Sequence, residues 1–170
     1  QWWKMIKINY EKRWDNVKSS LGERDAFVAA LPGNTRYLAN SESPPGTPPS
    51  STMNYVVIPK KSEPFAITSS LEEHRCRHES SVKDIRCWTT YPDIKSDGKS
   101  ALEILKSSLK EIEAKQIFTD TKVSLGRPFK VSVSSNVNEL RSIKSKAELQ
   151  RIKKAIKQSD AGQMFAHNLV

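Results

Sequence analysis

Asp25-Ala26-Phe27-Val28-Ala29-Ala30-Leu31-Pro32-Gly33-Asn34-Thr35-Arg36-Tyr37-Leu38 is the most informative stretch of the chain. Ala26 to Leu31 is an unbroken apolar run with no polar alternation. A strand of that composition is buried on both faces of its sheet. Pro32-Gly33 ends the run, and Asn34 is placed to cap a short helix through Arg36, Tyr37 and Leu38. A doubly buried strand requires a covering layer on each side, which is the arrangement of an α/β domain.

The flanking sequence supplies those layers. Upstream, Tyr10, Trp14, Val17 and Leu21 recur on one helical face, and Gly22 follows, predicting a helix over 10–21. Downstream, 41–52 holds Pro44, Pro45, Gly46, Pro48 and Pro49 and reads as a surface loop. Tyr55 to Ile58 and Phe65 to Thr68 are strands joined by the turn Lys60 to Pro64, a hairpin. Three segments match the capping box S-x-x-E: Ser70 to Glu73, Ser100 to Glu103 and Ser145 to Glu148. Each is expected to open a helix. Ile85 to Thr89, Gln116 to Thr119 and Phe129 to Val133 read as further strands. The order predicts a mixed β-sheet flanked by helices on both faces.

The last predicted helix starts at Ser145 and runs past Phe165. Leu149, Ile152 and Ile156 form a stripe, and Met164, Phe165 and Leu169 continue apolar. It has no C-cap, so its partner surface is expected outside this chain.

Composition narrows the function classes. The chain has 170 residues, 36% apolar and 28% charged, which suits one globular domain or a domain with an appendage. Its longest apolar run is six residues, too short for a bilayer, so no membrane association is expected. Residues 1–4 read as a cloning remnant, because Met5 can be the native start. Cys76 and Cys87 form no CxxC pair and no N-x-S/T sequon occurs, so a cytoplasmic protein with reduced thiols is expected.

The net charge is +9. Residues 1–120 hold 18 basic and 16 acidic side chains, whereas 121–170 hold 10 and 3, so the excess lies in the last segment. Only Phe129 and Phe165 supply aromatic rings there, which does not favour a nucleic-acid groove. The competing reading is a solvated helix face or a face meant for another domain.

Candidate chemistry is sparse. His74 and His78 share a helical face at a metal-compatible spacing, but Arg75 and Arg77 lie beside them and no glutamate follows the first histidine. Exposed helix histidines are the better reading. Asp25 and Asp120 are one possible carboxylate pair for two-metal chemistry, too few for a nuclease. No nucleophile elbow or phosphate-binding glycine loop is present. No catalytic or metal-ligating residue is assigned. Trp14 and Trp88 are expected in the core or at a dimer contact.

Several of these residues carry a family likeness. Asp25 to Leu31 followed by Pro32-Gly33-Asn34-Thr35-Arg36-Tyr37-Leu38, the hairpin Tyr55 to Thr68, and the helix Leu71 to Glu79 resemble the N-terminal domain of the creatinase, prolidase and aminopeptidase P family. Glu139-Leu140-Arg141-Ser142-Ile143-Lys144-Ser145-Lys146-Ala147-Glu148-Leu149 is similar to that family's junction, and Asp160-Ala161-Gly162 fits the helix beyond it. The likeness spans Ile8 to Phe165. Ala39-Asn40-Ser41 departs from the family's usual Ser/Thr-Gly-aromatic sequence, so no substrate contact is carried over at those three positions and no subfamily is assigned.

The resemblance implies a creatinase-type α/β domain with a ribonuclease-H-like motif over 5–138. It implies a junction and the start of a long linker helix over 139–170. It also implies a C-terminal pita-bread catalytic domain beyond this chain, carrying the divalent metal (Mn, Co or Zn), and a homodimer; this chain itself would bind no cofactor. The implied role is that of a non-catalytic domain of a Xaa-Pro dipeptidase or aminopeptidase. Asn34, Tyr37, Arg141 and Lys144 are the candidate substrate-cleft or domain-interface residues. A free-standing binding or dimerisation module is the alternative, and a basic nucleic-acid-binding protein is less favoured.

Overall fold

The computed structural model describes residues 7–40 and 54–168. The proline-rich loop 41–52 and the 1–4 segment lie outside them. The elements are α1 (Tyr10–Ser19), β1 (Asp25–Ala29), α2 (Pro32–Ala39), β2 (Tyr55–Pro59), β3 (Phe65–Ser69), α3 (Glu73–Glu79), β4 (Asp84–Trp88), α4 (Ala101–Glu111), β5 (Gln116–Thr119), β6 (Lys130–Val133), α5 (Asn136–Ser142) and α6 (Lys146–His167). Two units are separable among the described residues, 10–140 and a second that holds 7–9 and 141–168.

In the first unit six strands form one sheet in the order β4-β3-β2-β1-β5-β6. Only β2 runs against the others, through the β1–β2 and β2–β3 antiparallel pairs. The sheet is therefore mixed, and β1 lies inside it, between antiparallel β2 and parallel β5. Alternate residues of β1 feed opposite cores. Phe27 and Ala29 join Val17, Leu38, Cys76 and Val137 on the side of α1, α2 and α3. Ala26 and Val28 join Ile104, Leu105 and Leu109 of α4 on the other. Helices cover both faces, as the apolar run required.

Local chemistry sets the element boundaries. The Oγ of Ser19 donates to Asn16 O (2.7 Å) and that of Ser20 to Val17 O (2.9 Å), so hydroxyls take the carbonyls that another helical turn would use. That ends α1 two residues before the expected Leu21. Trp14 and Trp88 pack against the two cores and donate from Nε1 to Leu38 O and Asn54 Oδ1, both at 2.8 Å.

The three capping boxes divide. Ser145 forms the full reciprocal pair with Glu148 at the start of α6. Ser100 accepts from Glu103 N at the start of α4, but Glu103 Oε2 receives the Lys99 N–H instead of the cap's own. Ser70 caps nothing. Its N–H donates to Trp88 O at 2.9 Å, which holds it in the sheet, and α3 starts at Glu73 without a side-chain cap. The box's glutamate, Glu73, is drawn to Arg77 at 2.8 Å instead.

The short helix α5 was not expected. Val137 is its one fully buried residue, so no apolar period announces it. In the second unit α6 is 22 residues long and mostly exposed, with Leu149 at 45%, Ile156 at 54% and Phe165 at 68% exposure.

Leu105 is fully buried on α4, whereas Leu71 is 74% exposed. Leu105→Ala should cost about 2–5 kcal/mol in urea denaturation, and Leu71→Ala less than about 0.5 kcal/mol. Equal costs would show that α4 is not a core element.

Candidate functional site

The residues singled out at Asn34 and Tyr37 lie on α2, at the carboxyl end of β1. This helix has eight residues, too few to persist on its own in water. Its termini are held by other elements. Pro32 occupies the first turn, where its missing N–H costs nothing and its fixed φ suits a helix. Leu31 is the N-cap and offers no side-chain bond.

The strand expected to reach Leu31 stops at Ala29 because a carboxylate takes the next amides. Asp120 accepts from Ala30 N (2.9 Å), Leu31 N (3.0 Å) and Asn34 Nδ2 (2.9 Å). Asn34 is thus no cap. It sits inside α2, completely buried, with its amide tied to the residue that follows β5. The helix dipole adds to this, since an anion at a helix N-terminus is favoured.

The other end is equally engaged. Carbonyls left open by the last turn of a helix need outside donors. Arg36 O accepts from Asn40 N, Tyr37 O from Arg13 Nη1 at 2.6 Å, and Leu38 O from the Trp14 indole. Ala39 O takes Ser81 N at 2.8 Å and Ser80 Oγ at 3.0 Å. Asn40 closes the helix in the left-handed region (φ 59°), a seat asparagine tolerates better than most residues. Its Oδ1 accepts from the Tyr10 hydroxyl at 2.7 Å. The guanidinium of Arg13 lies 3.9 Å from the Tyr37 ring centroid and 4.9 Å from that of Tyr10, so the half-buried Tyr37 is fixed against α1.

Arg141 and Lys144 belong to the second unit. The Lys144 ammonium donates to Arg141 O (2.5 Å) and Ser142 O (3.2 Å), the closing carbonyls of α5, where a cation complements the dipole. Lys144 is exposed and Arg141 half-exposed.

Other candidate chemistry dissolves into structure. Asp25 accepts from Gly22 N at 2.7 Å and stands at the start of β1, in register with Gln116. Asp120 lies four residues further along the parallel pair, roughly 13 Å away at the strand rise, so the two cannot share metals. His74 and His78 lie side by side on α3 with ring centroids 4.7 Å apart and planes tilted by 48°, and both are exposed. Arg75 pairs with Glu72 and Glu79, and Arg77 with Glu73. Among the described residues no group of three or more His, Cys, Asp or Glu could hold a metal ion. No helix among them is long and apolar enough to cross a membrane. Cys76 and Cys87 are buried free thiols. Burial, followed by the negative charges of Glu73 and Asp97, pushes Cys87 up to about 12.

Comparison with known proteins matches this geometry to one architecture. No family sequence model and no curated protein matches the chain. Among solved structures, a Xaa-Pro dipeptidase from Bacillus anthracis superposes with a TM-score of 0.70 at 17% identity, over 95% of this chain and 44% of that one. The prolidase from Pyrococcus horikoshii gives 0.67 at 18%, over 94% of this chain and 43% of that one. The creatinase/prolidase N-terminal domain of an X-Pro dipeptidase from Streptococcus pyogenes gives 0.53 at 14%, over 78% and 98%. The chain has the creatinase/prolidase N-terminal fold. It spans less than half the length of the Bacillus and Pyrococcus enzymes.

Within this fold, Asp120 and Arg13 were not legible as partners of α2. Asp120 had one signal, an acid immediately after an apolar strand. Arg13 had none. Asp120→Ala leaves the buried Asn34 amide without its acceptor and frees two partly buried backbone N–H groups, Ala30 and Leu31, so it should cost roughly 1–3 kcal/mol. A loss below about 0.5 kcal/mol, within the range of ordinary surface changes, would show that other groups hold α2.

Cys87 should resist alkylation at pH 8 in the folded chain and react on unfolding. The sign of its pH effect follows from the raised value. Between the ordinary thiol range near 9 and about 12 the folded state holds a proton that the unfolded state releases. Stability should therefore be intact below pH 9 and fall as pH rises through that window. Cys87→Ser should flatten that alkaline decline; an unchanged slope would assign it to other groups.

Proposed function

We propose that this chain is the non-catalytic N-terminal domain of a Xaa-Pro dipeptidase or aminopeptidase. The observation that carries the reading is the match of 95% of this chain to only 44% of a Xaa-Pro dipeptidase. The remaining part of such a protein, a pita-bread domain, would hold the divalent metal (Mn, Co or Zn) and perform hydrolysis. This domain would support a homodimer and frame the substrate cleft.

The clamped helix α2 suits a framing role, because a wall of a specific cleft must keep its geometry without help from the ligand. Tyr37 would present its ring at the cleft, and Asn34 would act from behind through Asp120. Arg141 and Lys144 would mark the junction, where a closed helix end starts a new unit. The exposed stripe Leu149, Ile152 and Ile156 on α6 would meet the catalytic domain. A free-standing binding or dimerisation module is the second reading. It requires only that this domain fold without its neighbour, and the N-terminal domain of the Streptococcus pyogenes X-Pro dipeptidase, matched over 98% of its length, has a structure of its own.

The test begins with the gene beyond the codon for Val170. An open frame bearing two Asp, one His and two Glu in pita-bread order is expected. The chain alone should not hydrolyse a Xaa-Pro dipeptide with added manganese or cobalt, and light scattering should report a dimer. Hydrolysis by the chain alone would overturn the division of labour. A stop codon after Val170 would favour the free-standing module, and a clean monomer would remove the dimer role.

A further inference from the structure

We propose that the amino-terminal end of the sheet carries a binding site for a small organic polyanion, separate from the α2 wall. A cavity of about 600 Å³ lies there, bordered by Arg24, Lys110, Glu113, Lys115, Phe129 and Lys130. That volume lies within the ~300–1,000 Å³ of ordinary ligand pockets. Backbone pairing assembles it. Lys115 N donates to Arg24 O at 2.8 Å and Lys130 N to Lys115 O at 3.0 Å, so the residues entering β1, β5 and β6 stand side by side.

Four cations therefore border one cavity with a single carboxylate. None of Arg24, Lys110, Lys115 or Lys130 has an ion pair or side-chain hydrogen bond with a described residue. Their neighbours differ: Lys61 pairs with Glu23 at 2.6 Å and Lys60 donates to Lys18 O at 3.0 Å. Crowded cations without counter-charges create a local positive field that an anion relieves. The floor is apolar, with Phe129 and Ala114 buried. A ligand there gains most by joining negative charge to a flat apolar body.

Glu113 adds a third requirement. It adopts φ 52°, the left-handed conformation that glycine usually takes just after a helix. Glu113 N donates to Lys110 O and Ala114 N to Leu109 O, both at 3.0 Å, closing α4. The turn places a carboxylate among the cations, and no described side chain donates to it. It can accept from a hydroxyl or amine of the ligand. Multiple negative charge, an apolar body and a donor group together describe a nucleoside diphosphate.

Calorimetric titration of the whole chain with ADP, pyrophosphate and adenosine tests the site. ADP should saturate at one per chain, pyrophosphate should bind more weakly, adenosine should not bind, and added salt should weaken ADP. Arg24→Ala and Lys115→Ala should each weaken ADP about tenfold or more. Lys110→Ala, on an exposed helix surface, gives the same reading should either of those unfold. The double change Lys153→Ala and Lys154→Ala removes charge from α6 and should leave ADP binding unchanged. Absence of saturable binding by ADP and pyrophosphate overturns the site. So does binding that is lost with the α6 lysines but not with Arg24 and Lys115, which would reveal diffuse charge.

Discussion

The strand β1 is buried on both faces, and much of the first unit follows from that. Phe27 and Ala29 point to one core, Ala26 and Val28 to the other, and none of the four is more than 1% exposed. Such a strand must lie inside a sheet, with paired neighbours on both edges and helices on both sides. Antiparallel β2 supplies one neighbour from close in sequence. Parallel β5 supplies the other from about 90 residues later, so the fold closes only when α4 has crossed the sheet. Arg86 helps to fix that crossing. Its guanidinium lies 4.3 Å from the Phe65 ring centroid and bonds Ser108 and Glu111 of α4.

At the carboxyl end of β1 the problem changes from burial to satisfaction. The chain must leave the sheet through Ala30 and Leu31, and their amides need acceptors. Asp120 answers both, and the same carboxylate receives Asn34. One side chain therefore sets where β1 stops, where α2 starts and how β5 ends. The helix it anchors then spends its last carbonyls on Arg13, Trp14, Ser80 and Ser81. A short helix whose last carbonyls at Tyr37, Leu38 and Ala39 are taken by other elements moves only if those elements move with it.

This division explains what the sequence revealed. Strand positions were legible because they depend on apolar runs, and Gln116 to Thr119 was read to its last residue. The hairpin was legible because its turn is local. Boundaries failed where a distant group competes for a backbone amide, as Asp120 does at Ala30 and Trp88 O does at Ser70. Asn34 fits a cap on local chemistry alone; only the return of the chain at residue 120 gives its amide a better use. Arg13 gave no warning, because its value lies in two tyrosine rings and a carbonyl that the fold brings together. The proline-rich segment expected as a loop lies outside the described residues.

The two ends of the sheet also differ in charge for a physical reason. A helix N-terminus at the carboxyl end of a parallel strand attracts anions. Here the protein's own Asp120 occupies that position, supported by Asn34, so no charge is left there to recruit a ligand anion. At the amino end the balance is reversed. Arg24, Lys115 and Lys130 are carried into one row by the pairing of β1, β5 and β6, and the chain provides Glu113 alone against them. The α4 C-terminus points the negative end of its dipole at this cluster, but its closing carbonyls are already hydrogen-bonded within the turn. The cations are thus tolerated without being neutralised. One end of β1 and β5 is thus satisfied from within the chain, and the other, together with β6, is left with cations that the described side chains do not pair.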